Sequence, residues 1–238
     1  MQPEKARRTR MKVEVVIFDL DGTLIDSSIS ILEAYQAAFD HVGCKLMRPL
    51  TDSIIGPPLD ETLSTLTGGA DPVTREALVS AFKAHYDDLG FKKTSVFDGI
   101  LQLLDETKAK GVPMYIATNK RIAPTLSIIS YLGWSKYFSG VFALDSFATR
   151  LCNKGQLISR VLATEGLNPA STLYVGDREE DALAAEQAHV RFEKALWGYG
   201  INTVGSDIGD SRLLIEHFKS RLQLLTGYCG EGLFDTNG

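Results

Sequence analysis

Asp19 and Asp21 stand two residues apart where the largely apolar run 13–18 gives out. Side chains two apart on a strand share a face, so both carboxylates point into one crevice at the strand end. Two anions held this close in a partly desolvated place need a bound cation, a proton on one member, or both. Gly22 lets the backbone turn sharply just beyond the pair, and Thr23 adds a hydroxyl. Carboxylates grouped in this way suit the handling of phosphate with a divalent metal.

Three further groups carry matching chemistry. Thr118, Asn119 and Lys120 offer a hydroxyl, an amide and a cation after the apolar run 112–117. Asp177 follows the run 172–175 and Gly176, with Asp181 one helical turn beyond it. Lys154 precedes the segment that leads into that run, so its ammonium can reach the same crevice. Taken singly, each group has a plain alternative as a turn, a helix cap or a solvated lysine. Glu179 and Glu180 read as partners of a helix dipole, and Asp26 and Ser27 as the start of a helix. His41, His85, His189 and His217 show no metal-ligand spacing.

For these groups to meet, the runs that carry them must lie side by side. From residue 97 onward, helical and strand patterns alternate. Helices are predicted over 100–110, 123–132, 155–165, 179–189 and 211–225, and strands over 112–117, 140–144, 172–175 and 190–196. With the first strand, this predicts an α/β fold: a doubly wound, Rossmann-like parallel sheet with ligands at the carboxyl ends of its strands. Residues 27–95 hold no convincing strand. Ile31, Leu32, Tyr35, Ala38, Phe39 and Val42 recur at helical spacing up to Gly43. Helices are also predicted over 59–66 and 72–89, set off by Gly56, Pro57 and Pro58. A helical block of this length exceeds an ordinary loop and reads as a cap over the crevice. The expected organisation is a disordered basic tail over 1–12, a core of 13–26 and 96–238, and an inserted helical cap over 27–95.

The ordered series Asp19-Leu20-Asp21-Gly22-Thr23, Thr118, Lys154 and Gly176-Asp177 with Asp181 resembles the haloacid dehalogenase superfamily of phosphohydrolases. A looser similarity to its phosphoglycolate phosphatase-like branch, which includes nucleotidases, rests on three features. These are the place of the helical insert, the stretch Ile55-Gly56-Pro57-Pro58-Leu59, and Trp197-Gly198-Tyr199-Gly200. The resemblance implies that Asp19 is a nucleophile forming an aspartyl-phosphate, and that Asp21 is general acid and then base. It implies that Thr118, and Asn119 through its backbone, bind the phosphoryl group while Lys154 neutralises charge there. It further implies Mg2+ held by Asp19, Asp177 and the backbone carbonyl of Asp21, with Asp181 acting through water or orienting Lys154. Gly56 in the cap loop, with Arg48 and Lys120 facing a second anionic group, would complete the substrate contacts. Gly155 stands where relatives usually carry proline, and His189 where they often carry glycine.

The rest of the sequence narrows the partners. A chain of 238 residues with 44% hydrophobic content can bury a sizeable core. A net charge of -5 sets up no field that would draw a nucleic acid polymer, although Lys5, Arg7, Arg8, Arg10 and Lys12 make the first dozen residues basic. Cys44, Cys152 and Cys229 are odd in number and widely spaced, which suits a reducing compartment. No apolar stretch approaches the roughly 20 residues of a membrane span. The expectation is a cytoplasmic monomer or homodimer that acts on a small phosphorylated metabolite. Phosphoglycolate and nucleoside monophosphates lead among the substrates, and a phosphosugar mutase is the competing enzyme. A receiver-type phospho-acceptor is shorter and uncapped, and a nucleotide switch would need a phosphate-binding Gly-Lys-Ser/Thr loop, which the chain lacks. A dehalogenase would leave Asp21 with little purpose, because a halide leaves without a proton.

Overall fold

The computed structural model describes residues 12–88, 90–200 and 210–227. The basic stretch up to residue 11, Leu89 at the end of the predicted helix 72–89, and Cys229 lie outside the described residues. In chain order the strands are β1 (Val15–Phe18), β2 (Ile25–Asp26), β3 (Ser95–Val96), β4 (Met114–Thr118), β5 (Phe138–Ala143), β6 (Thr172–Gly176) and β7 (Arg191–Lys194). The helices are α1 (Ser28–Val42), α2 (Leu59–Thr67), α3 (Pro72–Asp88), α4 (Ile100–Ala109), α5 (Ile122–Tyr131), α6 (Lys154–Glu165), α7 (Glu179–Gln187) and α8 (Ser211–Thr226).

β1, β4 and β6 are buried along their whole length because both faces of the sheet are covered. Val16, Phe18, Met114, Ile116, Leu173 and Val175 face one apolar cluster, which α4, α5 and α8 complete through Leu104, Ile128 and Phe218. Their alternating neighbours Val15, Ile17, Tyr115, Ala117 and Tyr174 face the other, completed by α6 and α7 through Leu157, Val161 and Ala184. This two-residue alternation makes the sheet doubly wound. The strands are parallel in the order β5-β4-β1-β6-β7. The chain builds outward from β1 to β4 and β5, then crosses back to β6 and β7, so the order reverses at β1. Loops leaving β1, β4 and β6 diverge there and open a crevice at the strand ends.

The predicted elements recur with small shifts at their ends. The strand predicted over 112–117 begins at Met114, after Pro113, which has no N–H to donate to a ladder. The run 190–196 narrows to the edge strand β7. His189, just past α7, has φ 57°, a left-handed conformation that favours glycine and that few other side chains adopt.

α1, α2 and α3 surround a third apolar cluster that includes Phe39, Leu63, Leu66 and Leu78. Gly43 and Gly68 end α1 and α2 in the left-handed conformation. The chain leaves the sheet and returns to it through an antiparallel ribbon of β2 and β3, pairing Ile25 with Val96 and Asp26 with Ser95. No strand was expected in this second place, because two-residue strands are too short to display a period.

Candidate active site

Lys154 opens α6, where Asn153 caps the helix by accepting a hydrogen bond from the Gln156 N–H at 2.9 Å. That start point aims the Lys154 ammonium back over the strand ends. Its Nζ donates to Asp19 Oδ2 at 2.8 Å and to Asp181 Oδ1 at 2.6 Å. The other Asp181 oxygen accepts from the backbone N–H of Arg178 at 2.9 Å, so both oxygens are engaged. Asp19, Asp177 and Asp181 bring carboxylate oxygens within 4.8 Å of one another, all three residues being buried. Asp19 Oδ1 and Asp177 Oδ1 have no hydrogen-bond partner among the described residues. Buried, orphaned carboxylate oxygens are costly unless something positive meets them, and this pair suits a hard, oxygen-liganded cation.

The electrostatics of this floor follow from burial and crowding. Loss of solvent pushes the Asp19 carboxyl up to about 6; Lys154 opposes the rise and Asp181 adds to it. Asp177 is pushed up to about 7 by burial, reinforced by the Asp19 and Asp181 charges. Burial works against the Lys154 ammonium, yet Asp181 and Asp19 outweigh it and hold it firmly protonated. A bound divalent cation would relieve the same repulsion.

Asp21 has a separate set of partners. Lys120 Nζ reaches both of its carboxylate oxygens, at 3.1 and 3.2 Å, and the Ser27 hydroxyl donates to Oδ1. The Asp21 side chain is thus not a member of the acidic cluster, and only its backbone remains for the metal contact expected of it. Lys120, expected to face a second anionic group on the substrate, lines the crevice with its largely buried ammonium paired to Asp21. Arg48, its expected companion, is exposed and does not line the crevice. An exposed guanidinium keeps its water and has no reason to reach inward.

The other expected residues do gather at the crevice. Thr118 is buried at the end of β4, with its hydroxyl accepting from the Lys120 N–H at 3.3 Å. Asn119 contributes through its side chain: Nδ2 donates to the Gly56 carbonyl at 3.0 Å, which ties the loop before α2 to the end of β4. Gly155 leaves room that Gln187 fills, since a Cβ there would overlap Gln187 Oε1. Lys154 keeps its position without the proline usual in relatives.

Two supports were not foreseen. Arg178 reaches from the end of β6 to the cap, donating to the carbonyls of Asp52 at 2.7 Å and Ser53 at 3.3 Å. The stretch after β7 braces the loops after β1 and β6: Trp197 Nε1 donates to the Thr23 carbonyl at 2.8 Å, and the Gly200 N–H to Asp177 Oδ2 at 3.0 Å. A Cβ at Gly198 would overlap the Gly22 carbonyl, and one at Gly22, φ 79°, would lie 2.6 Å from Asp177 Oδ2. Close approach of three loops therefore requires small residues at both positions. Trp197 and its neighbours were noticed in the sequence, but their contact with Thr23 and Asp177 depends on a sheet order that local pattern does not carry.

Residues 16–195 match the family of haloacid dehalogenase-like hydrolases. The chain belongs to that family. Among its relatives is the tyrosine-protein kinase PtkA of Mycobacterium tuberculosis, 32% identical over 188 residues, or 79% of this chain. The chain spans 63% of that relative's length. The solved PtkA structure superposes with a TM-score of 0.64 at 31% identity, covering 82% of this chain and 90% of the solved one. A phosphoglycolate phosphatase of Xanthomonas campestris is 32% identical over 188 residues, covering 77% of this chain and 83% of its own. A 5'-nucleotidase of Pseudomonas aeruginosa is 29% identical over 197 residues, with 82% and 87% covered. The haloacid dehalogenase-like fold therefore underlies relatives of different named activity.

Proposed function

We propose that this chain is a magnesium-dependent phosphatase that hydrolyses a small phosphomonoester through an aspartyl-phosphate. The observation that carries the reading is that Asp19 and Asp21, two residues apart, are held by different cations in different surroundings. Equivalent carboxylates would share one role; these are equipped for two. Asp19, beside Lys154, attacks phosphorus as the ester P–O bond breaks, and Asp21 passes a proton to the departing oxygen. Asp21, ionised again, then takes a proton from the water that attacks the aspartyl-phosphate, freeing Asp19 and inorganic phosphate. Thr118 and Asn119 bind the phosphoryl oxygens, and Lys154, oriented by Asp181, offsets the charge that gathers between Asp19 and the phosphoryl group. Asp19 and Asp177, with the Asp21 backbone, would hold magnesium, which supplies charge neutralisation at the transferring group. Residues 27–95 act as the cap over this core. The partner is a small phosphorylated metabolite, and the site of action is the cytoplasm; among the described residues, no helix is long and apolar enough to cross a membrane.

Phosphate release from a panel of monoesters, measured with magnesium and with chelator, tests the proposal. Turnover that needs magnesium and yields free inorganic phosphate is the expected result. Transfer of the phosphoryl group to a sugar or protein acceptor without phosphate release would instead identify a mutase or a kinase.

A further inference from the structure

The crevice above Asp19 and Asp21 continues into a cavity of about 100 Å³. That is room for roughly seven to ten waters, at ~10–15 Å³ each, and so for a phosphoryl group with one ring beside it. The roof is apolar and aromatic. α3 presents Val79, Phe82, Lys83 and Tyr86 to the cavity, positions i, i+3, i+4 and i+7 of one helix face, and α1 adds Ile31 and Tyr35. The Tyr35 and Phe82 rings lie 4.6 Å apart, and those of Phe82 and Tyr86 5.6 Å, forming a short ladder. The ladder ends beside the chemistry: the Tyr86 ring centroid is 4.5 Å from Lys120 Nζ, which is itself 3.1 Å from Asp21. An atom leaving with Asp21's proton therefore departs beside Lys120, with the Tyr86 ring next to that ammonium.

The cations around the cavity do not suit a short anionic leaving group. Lys120 is held by Asp21, Arg121 by Asp87, and Arg150 faces Asp60 at 3.6 Å. Lys83 forms no ion pair among the described residues, but it lies one turn of α3 before Tyr86. A carboxylate one carbon from the ester oxygen would meet Tyr86 and a Lys120 ammonium that Asp21 already holds.

We infer that the preferred substrate is a phosphomonoester whose aromatic ring is attached at, or next to, the ester oxygen. This rests on the phosphatase reading and adds the leaving-group class. An apolar roof against a ring repays burial of both surfaces, and the small parts of Tyr35, Phe82 and Tyr86 that their mutual packing leaves open to the cavity favour a planar group over an aliphatic one.

Benzyl phosphate is the appropriate probe, because its leaving oxygen belongs to an ordinary alcohol and intrinsic reactivity does not favour it. With magnesium, kcat/KM for benzyl phosphate should exceed that for ethyl phosphate, cyclohexylmethyl phosphate and phosphoglycolate by about tenfold or more. Phe82→Ala, or Phe82→Leu should alanine not fold, should narrow the gap with ethyl phosphate. Better turnover of phosphoglycolate, or of a nucleoside monophosphate, would overturn the inference while leaving the phosphatase reading intact. If no ester is hydrolysed, the phosphatase reading fails, and calorimetric binding to Asp19→Asn decides this inference separately. Tighter binding of benzyl than of ethyl phosphate supports it; equal or absent binding overturns it.

Discussion

The floor and the roof of the crevice are built on opposite principles. The floor is a network of charges taken out of water, in which Lys154, Asp19 and Asp181 fix one another and Asp177 adds a further buried carboxylate. The roof is packed apolar and aromatic surface on α1 and α3, fixed by ordinary core burial. Charges of this kind tolerate little change, since an unpaired buried ion costs about 3–5 kcal/mol. Apolar walls change shape by substitution at far smaller cost. A scaffold of this kind can keep its floor and change its roof, which accords with a phosphoglycolate phosphatase and a 5'-nucleotidase both standing among the relatives.

The sharpest way to break this contrast is at the floor. Asp19→Asn keeps the shape of the side chain and removes its nucleophilic charge, so kcat should fall by about 10⁴-fold or more. Circular dichroism should show the fold intact. Retained turnover would mean that the floor is structural and that the chemistry lies elsewhere. Lys154→Met should cost less, about 10²–10³-fold in kcat, because it removes one stabilising charge and leaves the reacting groups in place.

Asp19 and Asp177 were legible in the sequence because each stands at the end of a strand, where an apolar run stops at a polar group. That signal is local. The pairing of Lys154 with both Asp19 and Asp181 was only half legible: Lys154 could be placed near the crevice, but its partners follow from where α6 starts relative to β1 and β6. The partner of Lys120 was illegible for a related reason. Its neighbours Thr118 and Asn119 suggested a group waiting for substrate, whereas Asp21, 99 positions away, already occupies it. The roof was legible only as core. Phe82 and Tyr86 do pack in the cap interior, and the one hint of a second role is Lys83 interrupting the apolar face of α3. A side chain that packs and also lines a cavity carries the same periodicity as one that only packs.

Lys120 sits where floor and roof meet, so Lys120→Met sharpens the boundary between them. Burial disfavours its ammonium, but Asp21 holds it protonated, so the charge persists across the working pH range. Its removal should lower kcat by at most about 10²-fold, the lower end of what a positioned acid–base group contributes. The pH–rate profile should shift as well, because Asp21 loses its only ion-pair partner among the described residues. A loss as large as that of Lys154→Met, with an unmoved profile, would place Lys120 in the floor.

The smallest expected effect concerns the floor without its cation. Asp19 and Asp177 have folded values near 6 and 7 against an unfolded value of 3.8, so between those limits the folded chain binds more protons than the unfolded one. The stability these two groups contribute is therefore fully present below about pH 4 and is lost as the pH rises through 6 and 7. A divalent cation reverses this by taking the place of the protons, and it competes with them when the pH is low. The midpoint of thermal unfolding should consequently rise on adding magnesium, and rise more at pH 8 than at pH 5. Comparing the two midpoints at each pH cancels the titration of every group remote from the floor. Asp177→Asn should remove most of the difference, since it takes away a carboxylate oxygen that now has no partner. An equal rise at both pH values would show that the cation binds away from Asp19 and Asp177, and the floor would then have to be held together by Lys154 alone.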